Sequence, residues 1–260
     1  MTKNNHSIDR LLRIMNELRE KCPWDKKQTL DSLRYLTIEE VYELSDAILE
    51  HNLSEIKKEL GDILLHIVFY SQIAMENGGF DFADVVQGIC EKLILRHPHV
   101  FGEAKVKVND AEDVKINWEK IKLSEGRKSV LGGVPKSLPA MVKAFRIQEK
   151  VHGVNFDWEN SSQVLEKIKE EIGELEDEIN QNNPAKMEEE FGDVLFSLIN
   201  YARFLNINPE DALEKTNRKF IERFQKMEEL ILSDEKKLTE MMLTEMDIYW
   251  EKAKNNHSGN

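Results

Sequence analysis

A duplicated acidic pattern constrains the possible folds of this 260-residue chain more than any other feature of its sequence. Glu59–Leu64 (ELGDIL) recurs 131 positions later as Glu190–Leu195 (EFGDVL). Glu39–Glu43 (EEVYE) recurs at the same offset as Glu170–Glu174 (EEIGE). A fixed offset shared by two separate motifs indicates that the chain contains two copies of one structural unit.

Two further motifs repeat later in each copy. Trp118–Lys122 (WEKIK) returns as Trp250–Lys254 (WEKAK) at nearly the same offset. A basic pair with four-residue spacing also returns, first as Lys92 and Arg96 and then as Lys219 and Arg223. The offset of this pair is smaller, so we expect one loop to be shorter in the second copy.

Apolar residues recur at intervals of three and four through most of the chain, which is typical of amphipathic helices. Convincing alternation of the kind that marks strands is not found. The sequence therefore predicts an all-α fold of two tandem, repeated helical domains. The predicted helices cover residues 7–21, 30–50, 53–76, 82–96, 110–123, 139–150, 161–181, 184–205, 209–232 and 240–254.

The sequence predicts the break between the domains at Ser124–Pro139 (SEGRKSVLGGVPKSLP). This segment contains two adjacent glycines and two prolines, and it has no periodic apolar stripe. We therefore expect one domain at residues 1–123, a linker at 124–139 and a second domain at 140–260.

Charge and composition exclude several classes of protein. A net charge of −13 argues against non-specific binding to nucleic acid, whose phosphates attract basic surfaces. No run approaches the 18 apolar residues of a membrane span, and the N-terminus lacks the apolar core of a signal peptide. Two cysteines are too few for a disulfide framework. We therefore expect a cytoplasmic protein with neither nucleic acid nor membrane as a partner.

The spacing of the repeated acids predicts a geometry. Glu40 and Glu43 are three residues apart and share one helical face, and Glu59 and Asp62 do the same. Glu43 and Glu59 are equally far from residue 51, and so are Glu40 and Asp62. Residue 51 lies in a turn-forming segment. An antiparallel hairpin that reverses there would bring four carboxylates together across its two helices. The second copy predicts the same square about residue 182, formed by Glu171, Glu174, Glu190 and Asp193.

Four clustered carboxylates repel one another unless a cation lies between them. Carboxylates without histidine or cysteine are hard oxygen ligands, which favours Mg²⁺ or Mn²⁺. The alternative is a solvated acidic helix face, which is common in a chain with 33% charged residues. Two sets with the same 15-residue gap favour the metal site.

The pattern E-x-x-E…E-x-x-D on paired helices resembles the signature of the all-α nucleoside triphosphate pyrophosphohydrolase family. With Cys22–Thr29 (CPWDKKQT) and Arg96–Phe101 (RHPHVF), the chain is similar to the tandem MazG-domain members of that family from about Ile8 to Lys254. The resemblance implies Mg²⁺-dependent hydrolysis of nucleoside triphosphates to the monophosphate and pyrophosphate, in a housecleaning or stress-related role. It also implies a homodimer, in which helices of two chains complete each four-helix bundle.

The resemblance assigns the acids. The metal ligands would be Glu171, Glu174, Glu190 and Asp193 in the second copy, and Glu39, Glu40, Glu43, Glu59 and Asp62 in the first. Glu170 and Glu189 would support these ligands or act as the base for the attacking water. Lys58 stands where the second copy has Glu189, which puts equal activity of the two copies in doubt.

The resemblance also suggests contacts to the nucleotide. The basic pairs would hold the triphosphate, the tryptophans would stack on the base, and the last lysine of each WEK motif would reach a phosphate. The residues concerned are Lys219, Arg223, Trp250 and Lys254, with Lys92, Arg96, Trp118 and Lys122 as their first-copy counterparts. The alternatives are surface basic pairs, core tryptophans and solvated lysines.

Two other functions compete with this interpretation. A ferritin-like di-metal oxidoreductase needs Glu-x-x-His on two helices, and Glu149–His152 is the sole instance, outside the repeated acidic segments. A non-enzymatic helical scaffold remains an alternative, above all for the first domain. A scaffold has no need for a matched carboxylate square in both copies.

Overall fold

The computed structural model describes residues 2–102, 108, 110–126 and 129–255, and all regular structure in them is helical. The α-helices are α1 Thr2–Lys21, α2 Leu30–Leu49, α3 Leu53–Glu76, α4 Phe82–Arg96, α5 Pro98–Phe101, α6 Ala111–Ser124, α7 Ala140–His152, α8 Ser161–Asn180, α9 Pro184–Phe204, α10 Pro209–Ser233 and α11 Leu243–Asn255. The all-α prediction is confirmed.

Every predicted helix is present, and most boundaries agree within about three residues. Helix α1 begins at Thr2, five residues before the predicted start. The sequence analysis missed the four-residue α5, which starts with Pro98 in its first turn. A helix this short is below the length at which apolar periodicity can be recognised.

The structure reproduces the sequence repeat. The helices α2 and α8 each have 20 residues and are offset by 131 positions at both ends. The helices α3 and α9 begin at the same offset. The duplicated unit is therefore an antiparallel helical hairpin, α2–α3 in the first copy and α8–α9 in the second.

The chain divides into two compact units, and the first is Met1–Lys107. In this unit α3 packs against α1, α2 and α4. Its core contains Met15, Leu33 and Phe69, each at most 3% exposed. Leu11 and Leu12 of α1 pack against that core, as the apolar stripe of this helix predicts.

The second unit is Val108–Asn260. Here α9 packs against α8 and α7, and α11 packs along α10. Met227, Ile231 and Tyr249 form the buried contact between α10 and α11. None of the helices in the residues described is long and apolar enough to cross a membrane.

The observed division differs from the predicted domain boundary. Helix α6 was expected to close the first domain, yet it falls in the second unit. There the Glu119 carboxylate of α6 accepts a hydrogen bond of 3.1 Å from Lys150 Nζ of α7. Part of the predicted linker forms a 3-10 turn at Val130–Gly133, and residues 127–128 of it lie outside the described residues.

Candidate metal centre

Each acidic hairpin reverses at a turn that its sequence specifies. In the first copy α2 ends at Leu49, and His51 adopts a left-handed φ of 54°. The Asn52 N–H then bonds back to the Ala47 carbonyl, which closes the helix end. The Asn52 side chain accepts hydrogen bonds from the first N–H groups of α3 and caps that helix.

The second hairpin turns in the same way. Asn182 has a φ of 51°, and the Asn183 N–H bonds to the Glu178 carbonyl at 3.2 Å. Pro184 follows in the first turn of α9, where its missing N–H costs nothing. Residues 51 and 182, about which the acids are symmetric, are therefore the left-handed residues of the two turns.

These turns bring carboxylates from both helices together. In the first copy Glu40, Glu43 and Glu59 each place an oxygen within 4.8 Å of the other two. In the second copy Glu171, Glu174 and Glu190 do the same. We call these groups the first and second carboxylate clusters. The structure thus joins three of the four predicted corners in each copy, and their role as ligands stays a prediction.

The remaining predicted acids border these clusters. Asp62 and Asp193, the fourth corners, lie outside the 4.8 Å groups. They are still close enough to raise the pKa of Glu40 and of Glu190, respectively. The other predicted acids, Glu39, Glu170 and Glu189, are exposed.

Burial and the neighbouring carboxylates raise the pKa of acids in both clusters. Burial, followed by the charges of Asp62 and Glu43, raises the pKa of Glu40. Burial, followed by the charge of Asp193, raises the pKa of Glu190. A hydrogen bond with the carboxyl group of Glu171 is the main cause of the raised pKa of Glu174. Glu40 in the first cluster, and Glu174 and Glu190 in the second, therefore hold their protons more strongly than isolated carboxyl groups do.

Each cluster also has a lysine beside its most buried carboxylate. Lys58 Nζ lies 2.9 Å from Glu59 Oε1, and Glu59 is 3% exposed. Lys167 Nζ lies 2.9 Å from Glu171 Oε1 and 2.8 Å from Glu170 Oε1. Hydrogen bonds to these carboxylates raise the pKa of both lysines.

This finding corrects one step of the sequence analysis. Lys58 was taken as the distinction between the copies because Glu189 stands at its position in the second. The second cluster has its own lysine, Lys167, at the position of Leu36 in the first copy. The lysines occupy different helices, so alignment of the two copies could not pair them. Lys58 alone therefore does not set the two clusters apart.

The clusters fit a hard divalent cation. Glu59 Oε2 is buried and finds no hydrogen-bond partner among the described residues, although Lys58 binds the other oxygen. A buried carboxylate oxygen without a partner is costly, and a cation would satisfy it. Carboxylates alone supply the oxygen donors that Mg²⁺ or Mn²⁺ prefers.

The second copy contains a further acid that the sequence analysis missed. Glu178 lies one turn beyond Glu174 on α8 and is 9% exposed. Its Oε1 accepts a bond of 3.3 Å from Lys186 Nζ, and its buried Oε2 has no partner among the described residues. Ala47 occupies this position in the first copy. The E-x-x-E pattern could not reveal Glu178, because it stops one turn earlier.

The basic pairs follow each hairpin on the next helix. Glu190 on α9 and Arg223 on α10 are symmetric about the turn at Asn206, whose φ is 56°. The helices α9 and α10 follow one another across this short turn and contact each other. Arg223 Nε is buried without a partner among the described residues, which suits an anion contact. Lys219 on the same helix is exposed.

The first copy repeats this arrangement only in part. Glu59 and Arg96 are symmetric about the turn at Gly78, whose φ is 73°. Lys92 is exposed on α4. The structure does not place Trp118 and Lys122 in this unit, since both lie on α6 in the second.

In the second copy the equivalent residues share the unit of their cluster. Trp250 packs on Phe220 of α10, with ring centroids 5.2 Å apart. Lys254 is paired with Glu251 at 2.5 Å. The second unit thus contains the cluster, the basic pair, the tryptophan and the lysine that the sequence analysis grouped.

The raised pKa values predict how metal binding depends on pH. The carboxyl groups of Glu40, Glu174 and Glu190 have raised pKa values, so they keep their protons at pH values above the ordinary pKa of 4.5. A cation must displace those protons. Stabilisation by Mg²⁺ should therefore be small at about pH 5 and grow as the pH rises towards about 8.

The measurement is the melting temperature with and without Mg²⁺ across this pH range. A variant with Glu59→Gln and Glu171→Gln serves as the control, because it should lose most of the shift at every pH. A Mg²⁺ shift that is constant with pH would contradict this assignment.

The similarity to known proteins includes the two acidic hairpins. The model of the MazG nucleotide pyrophosphohydrolase domain matches residues 28–101 and again 159–227, which contain the two acidic hairpins. A Thermotoga maritima protein named nucleoside triphosphate pyrophosphohydrolase/pyrophosphatase MazG is 49% identical over 95% of both chains. The nucleoside triphosphate pyrophosphohydrolase of Escherichia coli K12 is 41% identical over 96% of this chain and 97% of its own. The crystal structure of a mazG-related protein from Thermotoga maritima, 28% identical, covers 44% of this chain and 98% of its own with a TM-score of 0.39.

Proposed function

The chain belongs to the MazG nucleotide pyrophosphohydrolase family, and we propose that it hydrolyses nucleoside triphosphates to the monophosphate and pyrophosphate with Mg²⁺. The family consists of hydrolases that act on phosphoric anhydrides. The observation that carries the proposal is the duplicated carboxylate cluster, with a deeply buried acid in each copy. Mn²⁺ would serve in place of Mg²⁺, since both prefer oxygen ligands.

Binding of the cation is assigned to the acids that face each other across a hairpin. In the second copy these are Glu171, Glu174 and Glu190, with Asp193 beside them. The bound cation would neutralise phosphate oxygens and lower the cost of bringing a triphosphate to an acidic surface. The equivalent set in the first copy is Glu40, Glu43, Glu59 and Asp62, with Glu39 at its border.

The triphosphate is assigned to cations in the same unit as the second cluster. Arg223 has a buried Nε with no partner among the described residues, and Lys219 is one turn away on the same helix. Trp250 offers a ring face to the base, and Lys254 follows it by one turn. Lys167, which now pairs with Glu170 and Glu171, would turn to a phosphate oxygen once a cation takes those carboxylates.

The proton of the attacking water needs an acceptor. We assign this role to Glu189, which is exposed beside Glu190. Water adds to the α-phosphorus, while the bond between that phosphorus and the oxygen bridging it to the β-phosphorus breaks. The oxygen leaves with pyrophosphate, and the proton of the water passes to the Glu189 carboxylate.

The experiment that tests this function is product identification. The full chain is incubated with a panel of nucleoside triphosphates, with Mg²⁺ or with a chelator in excess. The proposal expects monophosphate and pyrophosphate with Mg²⁺ and neither with the chelator. Diphosphate and orthophosphate as the primary products would overturn it.

Assembly is proposed from a second repeated feature. Four apolar residues on each hairpin are 40–54% exposed at equivalent positions: Val41, Ile48, Leu60 and Ile67 in the first copy, and Ile172, Ile179, Phe191 and Leu198 in the second. Their seven-residue spacing places them in one stripe per helix. Because an apolar helix face needs a partner, we propose that these stripes pack against a second copy of the chain.

We expect a dimer mass by light scattering at micromolar concentration. Leu198→Asp should dissociate or weaken the dimer, since a charge in an apolar interface is costly. The matched control is Leu232→Asp, which changes a residue of α10 that is 75% exposed and lies outside the stripes. A wild-type monomer would refute the assembly.

The physiological role follows from the proposed reaction. Conversion of triphosphates to monophosphates removes them from the nucleotide pool irreversibly once pyrophosphate is consumed. We therefore propose a cytoplasmic housecleaning or stress-related control of nucleotides.

A further inference from the structure

One side of α2 in the first unit carries apolar side chains that are open to solvent. Tyr35, Ile38 and Tyr42 are 63%, 44% and 57% exposed, and Leu49 is half-buried. Their spacings of three, four and seven residues place them on one side of the helix, along about 20 Å of its length. We call these four residues the α2 face.

The second copy shows that the α2 face is not part of the duplicated architecture. At the offset of 131 positions its four residues are replaced by polar residues and a glycine: Glu166, Lys169, Gly173 and Asn180. The stripes proposed for assembly are apolar in both copies, and on α2 their members Val41 and Ile48 lie to one side of this face. The α2 face therefore has a cause of its own, since a contiguous exposed apolar patch marks a binding surface.

The charges beside the α2 face decide which kind of partner fits. The exposed acids Asp31, Glu39 and Asp46 border it, and the sole basic residue of α2 is Arg34. The α2 helix of a second copy would bring the same acids to this border. Like charges along the edges of a helix pair disfavour its formation, whereas opposite charges select the partner. A partner with basic edges therefore fits better than a second copy of this chain.

The pattern of the face suits a helix. An amphipathic helix lays its own apolar residues along such a seam of three- and four-residue spacing. Tyrosines are enriched at protein interfaces, because they combine a large ring with a polar hydroxyl. By contrast, Tyr70 of α3 is used within the unit, where its hydroxyl lies 2.5 Å from Thr37 Oγ1. The two tyrosines of the α2 face remain exposed for an outside contact.

We propose that the α2 face is a docking site for a basic amphipathic helix of another protein. The apolar residues of that helix lie against Tyr35, Ile38 and Tyr42, and its lysines or arginines lie beside Glu39 and Asp46. The second copy has no such face, so one partner binds per chain.

Fluorescence anisotropy with a designed peptide and the full chain tests this proposal. The probe is a helical peptide of about 20 residues with Leu along one face and Lys at the edges of that face. The comparison peptide has Glu in place of each Lys. Mg²⁺ is present throughout, so that the lysines of the probe do not serve as the cation of the carboxylate clusters. The Lys peptide should bind one site per chain, roughly tenfold or more tightly than the Glu peptide.

The double variant Tyr35→Glu with Ile38→Lys introduces the second-copy residues and leaves the net charge unchanged. It should bind the Lys peptide roughly tenfold more weakly, because the apolar seam is interrupted. The matched control is Val86→Glu with Ile89→Lys on α4, at residues that are 41% and 46% exposed, and it should bind as the wild type does. If circular dichroism shows that the double variant loses helix, Tyr42→Arg decides, and it too should weaken binding.

Equal binding of the Lys peptide by the wild type and the folded variants would overturn the proposal, as would equal binding of the two peptides. A change from dimer to monomer in Tyr35→Glu with Ile38→Lys would also overturn it, because a second copy would then cover the α2 face. Pyrophosphate release by the same variant is measured separately and should equal that of the wild type. Failure of the docking site therefore leaves the proposed function untouched.

Discussion

Glu174→Ala is expected to lower the rate of pyrophosphate release at least 10- to 100-fold, whereas Glu43→Ala should leave much of it. Both residues are exposed members of their clusters, so the two changes are matched in position and in chemistry. The difference arises from their surroundings. The second unit contains Arg223 and Trp250 as well as its cluster, but the first unit lacks Trp118 and Lys122.

The charges around each cluster do not add to this difference. The second copy has Glu178 and Glu189 where the first has Ala47 and Lys58, but it also has Lys167 and Lys186 where the first has Leu36 and Glu55. Steady-state pyrophosphate release by the two variants and the wild type is the measurement, with folding checked by circular dichroism. Equal loss in both variants would show that both copies catalyse or that they are tightly coupled.

Glu119→Ala is expected to destabilise the second unit by about 3–5 kcal/mol, the typical cost of removing one partner of a buried ion pair. Burial acts to raise the pKa of Glu119, but hydrogen bonds from Lys122 and Lys150 outweigh it and lower the pKa overall. Lys150 is 1% exposed, and this change would remove the carboxylate that lies 3.1 Å from its Nζ. Helix α6 would also lose its polar attachment to α7.

Denaturant unfolding compares this variant with Glu149→Ala, which removes the more exposed partner of Arg146 and should cost no more than about 1 kcal/mol. If both variants lose almost no free energy of unfolding, the packing of α6 on α7 would be contradicted. The loss in Glu119→Ala should shrink in acid. The lowered pKa means that this carboxylate stabilises the fold above its ordinary pKa of 4.5 and ceases to do so as protonation proceeds.

The hairpins could be predicted because their signals are local. Apolar periodicity sets the helices, and Asn52 and Pro184 mark where the second helix of each hairpin begins. With the turns fixed, the three-residue spacing of Glu40 and Glu43 places their carboxylates against Glu59. The same logic applies to the second copy, so the two clusters followed from the sequence.

The partner of α6 could not be predicted in this way. Its contact with α7 depends on Glu119 meeting Lys150, which is 31 residues away and belongs to no repeated pattern. The internal repeat predicted that α6 packs in the first copy. Its counterpart in the second copy is α11, and α11 packs within that copy. Lys167 and Glu178 were missed for a related reason, since neither has a like residue at the equivalent position in the other copy.

The central claim is that the two carboxylate clusters carry out the hydrolysis with a bound cation. Its most direct test is pyrophosphate release from nucleoside triphosphates by a variant with Glu43→Gln and Glu174→Gln, which retains the shape of both side chains. We predict that release with saturating Mg²⁺ falls to the rate in buffer while circular dichroism shows the wild-type helix content. Release near the wild-type rate by the folded double variant would contradict the claim.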